Sequence, residues 1–216
     1  MKNLISVIIP AHNEEKSIGQ VIKLLKKNEI VSEIIVVDNA STDKTGVIAS
    51  KEGAVVIQCK NKGKGHAMEM GVENANNEII LFLDADIVNY SDDIVEYMTA
   101  DLVDNKADVV KAKFDRDGGR VTELVAKPLL DTLFPNIPKF QQPLGGFIAG
   151  KKEFFKKIEF EKDYGVDVGI LLDMIQLNAR ISEVYIGKIV NDSKDWKLLE
   201  KMAREVINAI IKRAKM

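Results

Sequence analysis

Only one cysteine, Cys59, occurs in the 216 residues, so no intrachain disulfide can form, which fits a reducing compartment. The two histidines are too few to complete a zinc site with it. Long hydrophobic runs are missing as well. The first apolar stretch, Leu4 to Ile9, stops at Pro10. No later one reaches the ~18 residues a membrane span needs. The chain therefore reads as soluble and cytoplasmic, with no integral membrane segment. It also lacks an excess of either charge. With 31 basic and 33 acidic residues the net charge is -2, which gives no footprint for nucleic acid. Fixed-period repeats and low-complexity tracts are absent too.

What is present is globular: 46% of residues are apolar and 30% charged. The length suits one domain with a core that needs no staples. Residues 1–104 alternate strand and helix signals. Short apolar strands are expected at Leu4–Ile9, Glu33–Val37, Ala54–Gln58 and Glu78–Leu83. Helices are expected at Glu15–Lys27, Thr42–Glu52, Lys64–Ala75 and Tyr90–Asp104. Continuous apolar strands separated by helices predict an α/β fold with a mostly parallel central sheet covered on both faces. Residues 105–216 are less regular. A strand is expected at Asp108–Phe114 and a helix at Thr122–Leu133 that starts late or kinks at Pro128. A second helix follows at Gly165–Met174, a strand at Ile181–Ile186 and a terminal helix at Trp196–Met216. That last helix turns Leu198, Leu199, Met202, Val206, Ile207, Ile210 and Ile211 inward. No linker separates the halves.

In parallel sheets, ligands bind beyond the carboxyl ends of the strands, and three polar clusters fall there. Asp84-Ala85-Asp86 ends the fourth strand. Residues two apart in an extended segment point the same way. Two such carboxylates suit Mg²⁺ or Mn²⁺ with a diphosphate, although a loop of two solvated aspartates has the same pattern. Asp38-Asn39-Ala40-Ser41-Thr42-Asp43 ends the second strand, with Ser41 as a helix cap. Pro10-Ala11-His12-Asn13-Glu14-Glu15 ends the first. There Asn13 and Glu14 suit hydrogen bonds to a base or ribose, or simply start a helix. Gly63-Lys64-Gly65-His66 suits Lys64 and backbone N–H groups at a phosphate, or a solvated loop; it is no Walker A sequence. Asp117-Gly118-Gly119-Arg120-Val121-Thr122 offers a guanidinium and a hydroxyl for an oxyanion, or a surface arginine and a cap.

VIIPAHNEE, VVDNASTDKT, the GKGHAM turn and LFLDADI, in this order, resemble the nucleotide-diphosphosugar-binding part of GT-A glycosyltransferases of the family 2 type. GRVTELVAKPLL (119–130), QPLGG (142–146) and YGVDVGILLD (164–173) are similar to the glucosyl-3-phosphoglycerate synthase family. The resemblance runs from about Leu4 to Gly187. It implies a single GT-A domain and a metal-dependent hexose transfer. The donor is a nucleotide sugar, UDP-glucose or alternatively a GDP-sugar. The acceptor is a small phosphorylated molecule, 3-phosphoglycerate, and the transfer proceeds with retention in a homodimer. Carried over by motif, Pro10, Ala11, Asn13, Glu14, Asp38, Ser41, Lys64, Asp84, Ala85, Asp86, Leu144 and Tyr164 bind the donor. Gly119, Arg120 and Thr122 bind the acceptor, and Lys64, Asp86 and Asp167 serve catalysis. Asp84, Asp86 and Asn191 hold the metal. Three positions depart from the family. Asp167 stands where it has Glu, and Phe147 follows QPLGG where it has Glu. No histidine follows His66, so Asn191 falls at the family's histidine ligand. A polyprenyl-phosphate glycosyltransferase and a non-catalytic nucleotide-sugar-binding protein are the rival readings. A nucleotidyltransferase would need a glycine-rich basic loop after the first strand, which PAHNEE lacks.

Overall fold

The computed structural model describes residues 4–87, 89–190 and 195–215. Its first half is a run of β–α units: β1 (Ile5–Ala11), α1 (Ile18–Leu25), β2 (Val31–Asp38), α2 (Thr45–Lys51), β3 (Val55–Gln58), α3 (Lys64–Asn74), β4 (Ile79–Phe82) and α4 (Ile94–Val103). The second half contributes β5 (Val109–Asp115), a π-helical turn at Thr122–Ala126, α5 (Lys127–Leu133), β6 (Ile148–Lys151), α6 (Lys152–Phe155), α7 (Val166–Gln176), β7 (Ile181–Lys188) and α8 (Trp196–Ala214).

All seven strands join one sheet in the order β3-β2-β1-β4-β6-β5-β7. The pairs β1–β2, β1–β4, β2–β3 and β5–β7 are parallel, and β6 runs antiparallel between β4 and β5. The sheet is mostly parallel, as expected. Its central strands β1 and β4 and the second half of β2 are buried on both faces because helices cover both. Val7 and Ile9 pack with Ile18, Val21 and Ile22 of α1 and with Val95 and Met98 of α4. Ile8 faces the opposite side, against Met68 and Val72 of α3 and Ile170 and Met174 of α7. A third cluster joins Leu130 of α5, Leu172 of α7 and Val206 and Ile210 of α8.

Three features differ from the sequence expectation. β6 was not foreseen: Ile-Ala-Gly-Lys is short, contains a glycine and carries no alternation. The 122–133 helix does not start late at Pro128; the chain winds as a π-helical turn at Thr122–Ala126 and continues into α5, so the irregularity lies in the turn before the proline. On α8, Leu198, Leu199, Met202, Ile207 and Ile211 are only half-buried, while Ala209 and Arg213 join Val206 and Ile210 inside. Among the described residues no helix is long and apolar enough to cross a membrane.

Candidate functional site

β1, β2 and β4 all end at the same sheet edge, and the chain departs from β1 toward β2 on one side and β4 on the other. Such a switch point opens a crevice. The loop after β1 is tied to the loop after β2. The Asn13 amide donates to Ser41 Oγ (3.0 Å), and Asn13 Oδ1 accepts from the Thr42 amide (2.8 Å). Asp38 is buried, and its carboxylate accepts from the Ser41 amide (3.1 Å) and Gln58 Nε2 (3.0 Å). Ser41 is therefore a loop tie and not the expected helix cap. α2 begins at Thr45, whose amide donates to Asp43 Oδ1 (2.9 Å). His12 Nδ1–H donates to the Asn39 carbonyl (2.8 Å).

Asn39 also positions the glycine-lysine turn. Its side chain accepts from the Gly63 amide (2.9 Å) and donates to the Gly63 carbonyl (2.7 Å). The Gly65 amide is taken by the Lys162 carbonyl (3.1 Å), so that N–H is not the phosphate donor the sequence suggested. Lys64 opens α3, and its Nζ lies 3.0 Å from Asp84 Oδ1 and 3.1 Å from Asp167 Oδ2. Burial works against the ammonium, but Asp167 and Asp84 outweigh it and raise its pKa. Lys64 is cationic throughout the physiological range.

The Asp84–Asp86 segment is not extended. β4 ends at Phe82, the Leu83 amide still bonds the Ile8 carbonyl (3.1 Å), and Ala85 and Asp86 form a turn. The two carboxylates therefore reach the cleft from a turn and not from one strand face. The buried Tyr90 hydroxyl donates to the Asp84 carbonyl (2.9 Å) and fixes that turn. Glu14 lies close enough to feel Asp86, Asp43 and Asp84, and burial first, then these charges, raise its pKa. Gly146 approaches from the other side. A Cβ there would stand 2.4 Å from Lys64 Nζ and 2.6 Å from Asp84 Oδ1. Behind it, the fully buried Lys111 ammonium donates to the Gly145 carbonyl, and burial pulls its pKa down to about 8.

These groups line a cleft of about 260 Å³ that includes Pro10, His12, Glu14, Lys64, Asp84 and Asp86 on one side. Arg116, Leu144, Tyr164 and Asp167 lie on the other. It continues into a smaller space of about 140 Å³ beside Ala11, Asn39, Gly63 and Lys201. Asp167 is 5% exposed, and its Oδ1 has no hydrogen-bond partner among the described residues. A substrate hydroxyl would satisfy that atom. A larger cavity of about 490 Å³, between α5 and the 137–141 loop, is lined by Asp131 and Glu183 and by none of the carboxylates named above.

Several sequence-derived assignments fall elsewhere. Asp38 and Ser41 brace the loops from behind. Asn13 is exposed and occupied by the Ser41–Thr42 loop. Arg120 is exposed, with its guanidinium 5.1 Å over the ring of Trp196. Gly119 and Thr122 pack on Arg116 instead. Asn191 lies outside the described residues. His12, Asn39, Lys111 and Arg116 carried no assignment in the sequence. His12 and Asn39 lie within polar clusters the sequence singled out, whereas Lys111 and Arg116 do not.

The chemistry of the donor set fits a hard divalent cation. Among the described residues no group of three or more His, Cys, Asp or Glu is arranged as a metal cage. Asp84 and Asp86 provide two carboxylates beside the repelled Glu14, in a cleft open to a ligand. Mg²⁺ is commonly bound in this way, by one or two carboxylates plus substrate phosphates.

The model of the family described as glycosyl transferase family 2 matches residues 6–160. Glucosyl-3-phosphoglycerate synthase of Petrotoga mobilis is 33% identical, across 97% of this chain and 73% of that one. The Mycolicibacterium smegmatis enzyme of the same name is 32% identical, across 97% and 77%. The crystal structure of glucosyl-3-phosphoglycerate synthase from Mycobacterium tuberculosis with Mn²⁺, UDP-glucose and phosphoglyceric acid superposes with a TM-score of 0.92. It is 33% identical, over 99% of this chain and 80% of that one. A second structure of that enzyme, with Mg²⁺ and UDP, gives 0.93 at 32% identity.

Proposed function

The chain belongs to glycosyl transferase family 2, and from that premise we propose that it transfers glucose from UDP-glucose to 3-phosphoglycerate, with retention, aided by Mg²⁺ or Mn²⁺. The observation that carries this reading is the Lys64 ammonium held between Asp84 and Asp167 at the switch-point cleft.

Each residue's task follows from its chemistry. Asp84 and Asp86 would hold the divalent ion, which when bound neutralises the leaving diphosphate. Lys64 has three N–H donors. Two serve Asp84 and Asp167, and the third serves a donor phosphate oxygen. Asp167 Oδ1 accepts from a glucose hydroxyl, which orients the anomeric carbon, and Gly146 keeps the opposite wall thin enough for the sugar. Tyr164 and Leu144 flank the sugar, and Pro10, Ala11 and His12 flank the nucleoside. The carboxylates of Asp84 and Asp167 also stabilise positive charge developing on the sugar ring. Retention follows from the resemblance to the synthase family, as does a homodimer, read by light scattering; a cytoplasmic location, read by cell fractionation, follows from the single cysteine.

UDP release by the purified protein tests the transfer. UDP-glucose, GDP-glucose and GDP-mannose are supplied in turn, with and without metal and 3-phosphoglycerate. Release from UDP-glucose that needs both metal and acceptor is expected. Release indifferent to 3-phosphoglycerate would overturn the acceptor, and polyprenyl phosphates would be tested next.

A further inference from the structure

β5 is an interior strand, and Lys111 sits within it among the buried Val109, Val110 and Ala112. The lysine is itself 1% exposed. Among the described residues its ammonium has one hydrogen-bond partner, the Gly145 carbonyl. Asp167, Asp84 and Glu183 attract its charge and Lys64 repels it, but burial outweighs them all. A methionine or leucine would fill the same space without burying an ionisable group. What sets the lysine apart from them is its N–H groups and the carbonyl they hold.

That carbonyl belongs to a wall of the reaction cleft. Residues 142–145 form a turn closed by the Gly145 amide on the Gln142 carbonyl (3.0 Å). β5 grips this turn at both ends. Gln142 is buried and donates from Nε2 to the Phe114 carbonyl (3.0 Å), while Lys111 donates to the Gly145 carbonyl. Just before β6, the Ala112 amide donates to the Phe147 carbonyl (3.1 Å). Gly145 lies against Phe114, where a Cβ would stand 3.0 Å from the ring. Leu144 and Gly146 form the side of the turn that faces the cleft, with Gly146 against Lys64 and Asp84. Without Lys111 the buried Gly145 carbonyl loses its hydrogen bond, and the turn must move to find another.

We propose that Lys111 is a positioning residue for the glucosyl transfer, and that its hold on the Gly145 carbonyl fixes the Leu144–Gly146 turn as the wall on which the sugar of the donor rests. This rests on the transfer reading above. Lys111 touches no substrate and acts through the turn. The wall faces the sugar, while Pro10, Ala11 and His12 flank the nucleoside, so the effect falls on the glucosyl part of the donor and on the chemical step.

The test separates the sugar from the nucleotide. Calorimetry on the full chain with Mg²⁺ gives the affinities for UDP and UDP-glucose, and UDP release with 3-phosphoglycerate gives kcat. Lys111→Met keeps the apolar stem and removes the N–H groups. It is expected to bind UDP as the parent does and to lose about tenfold in affinity for UDP-glucose relative to UDP, the size of one hydrogen bond. Its kcat should fall about ten- to a hundredfold, as a misplaced wall requires. Lys111→Gln restores an N–H donor without the charge and should recover part of both losses. Equal losses for the two ligands, or a Lys111→Met variant with the parent's affinity ratio and kcat, overturn the assignment while the transfer reading stands. If Lys111→Met does not fold, Lys111→Gln decides: a UDP-glucose to UDP affinity ratio below the parent's supports the assignment, and an unchanged ratio overturns it. If the parent binds both ligands but releases no UDP with 3-phosphoglycerate, the acceptor reading falls, and the affinity ratio alone decides Lys111. If the parent binds neither ligand, both readings fall.

Discussion

Two buried lysines with opposite fates lie within one site. Lys64 gains two carboxylates and is stabilised in its charged form; Lys111 has the Gly145 carbonyl and is not. The charges acting on Lys111 are Asp167, Asp84 and Glu183 in its favour and Lys64 against it, and burial dominates them all. Its pKa of about 8 when folded lies below the 10.5 of an ordinary lysine. Between these values the unfolded chain binds more protons, so this group makes the protein more stable as pH rises, by roughly 3 kcal/mol in total. Lys64 does not cancel this rise. Its pKa is raised, so its contribution is intact below 10.5 and is lost only above that. Chemical denaturation of Lys111→Met against the parent, from pH 7 to pH 10.5, should show the parent gaining on the variant. Parallel curves would contradict the burial of a charged Lys111. Asp84 and Asp86 are tested more simply: Asp86→Ala and Asp84→Asn should each abolish metal-dependent UDP release, and near-normal rates in either would remove the metal assignment.

Helix α8 contributes to the site without entering it. Arg213 is 3% exposed and clamps Asp173 of α7 through Nε (2.6 Å) and Nη2 (2.7 Å), and Glu161 through Nη1 (2.7 Å). The next residue after Glu161, Lys162, receives the Gly65 amide beside Lys64. Arg213→Ala leaves Asp173 without its cation while Glu161 keeps Lys212 (3.2 Å), and a urea titration should show a loss of about 3 kcal/mol. An unchanged midpoint would contradict the clamp. This part of the structure was not legible in the sequence. A stripe of Leu, Met, Val and Ile at helical spacing on α8 announces the helix, but an arginine inside that stripe reads as solvent-facing until its partners are known. The early β–α units were legible because their strands are apolar throughout and end in polar clusters. β6 was not, since a strand of four residues paired on both sides needs no periodicity of its own. Element ends moved by a few residues where side chains outside the helix took the first amides, as Asp43 does for Thr45.

At the scale of the molecule, the site exists because three parallel strands end at one edge and β6 brings the Leu144–Gly146 turn back against them. The motifs after β1, β2 and β4, with Lys64, could be located from residue order alone. The seating of Arg116 by Gly119 and Thr122 could not, because it depends on the path of the loop after β5. The transfer itself is most directly tested by the product. UDP-glucose carrying ¹³C-labelled glucose, incubated with the protein, Mg²⁺ and 3-phosphoglycerate, is followed by NMR at the anomeric position. An α-linked glucosyl-3-phosphoglycerate is the expected signal. Free glucose alone, a β-linked product, or no product with the donor bound would contradict a retaining transfer to this acceptor.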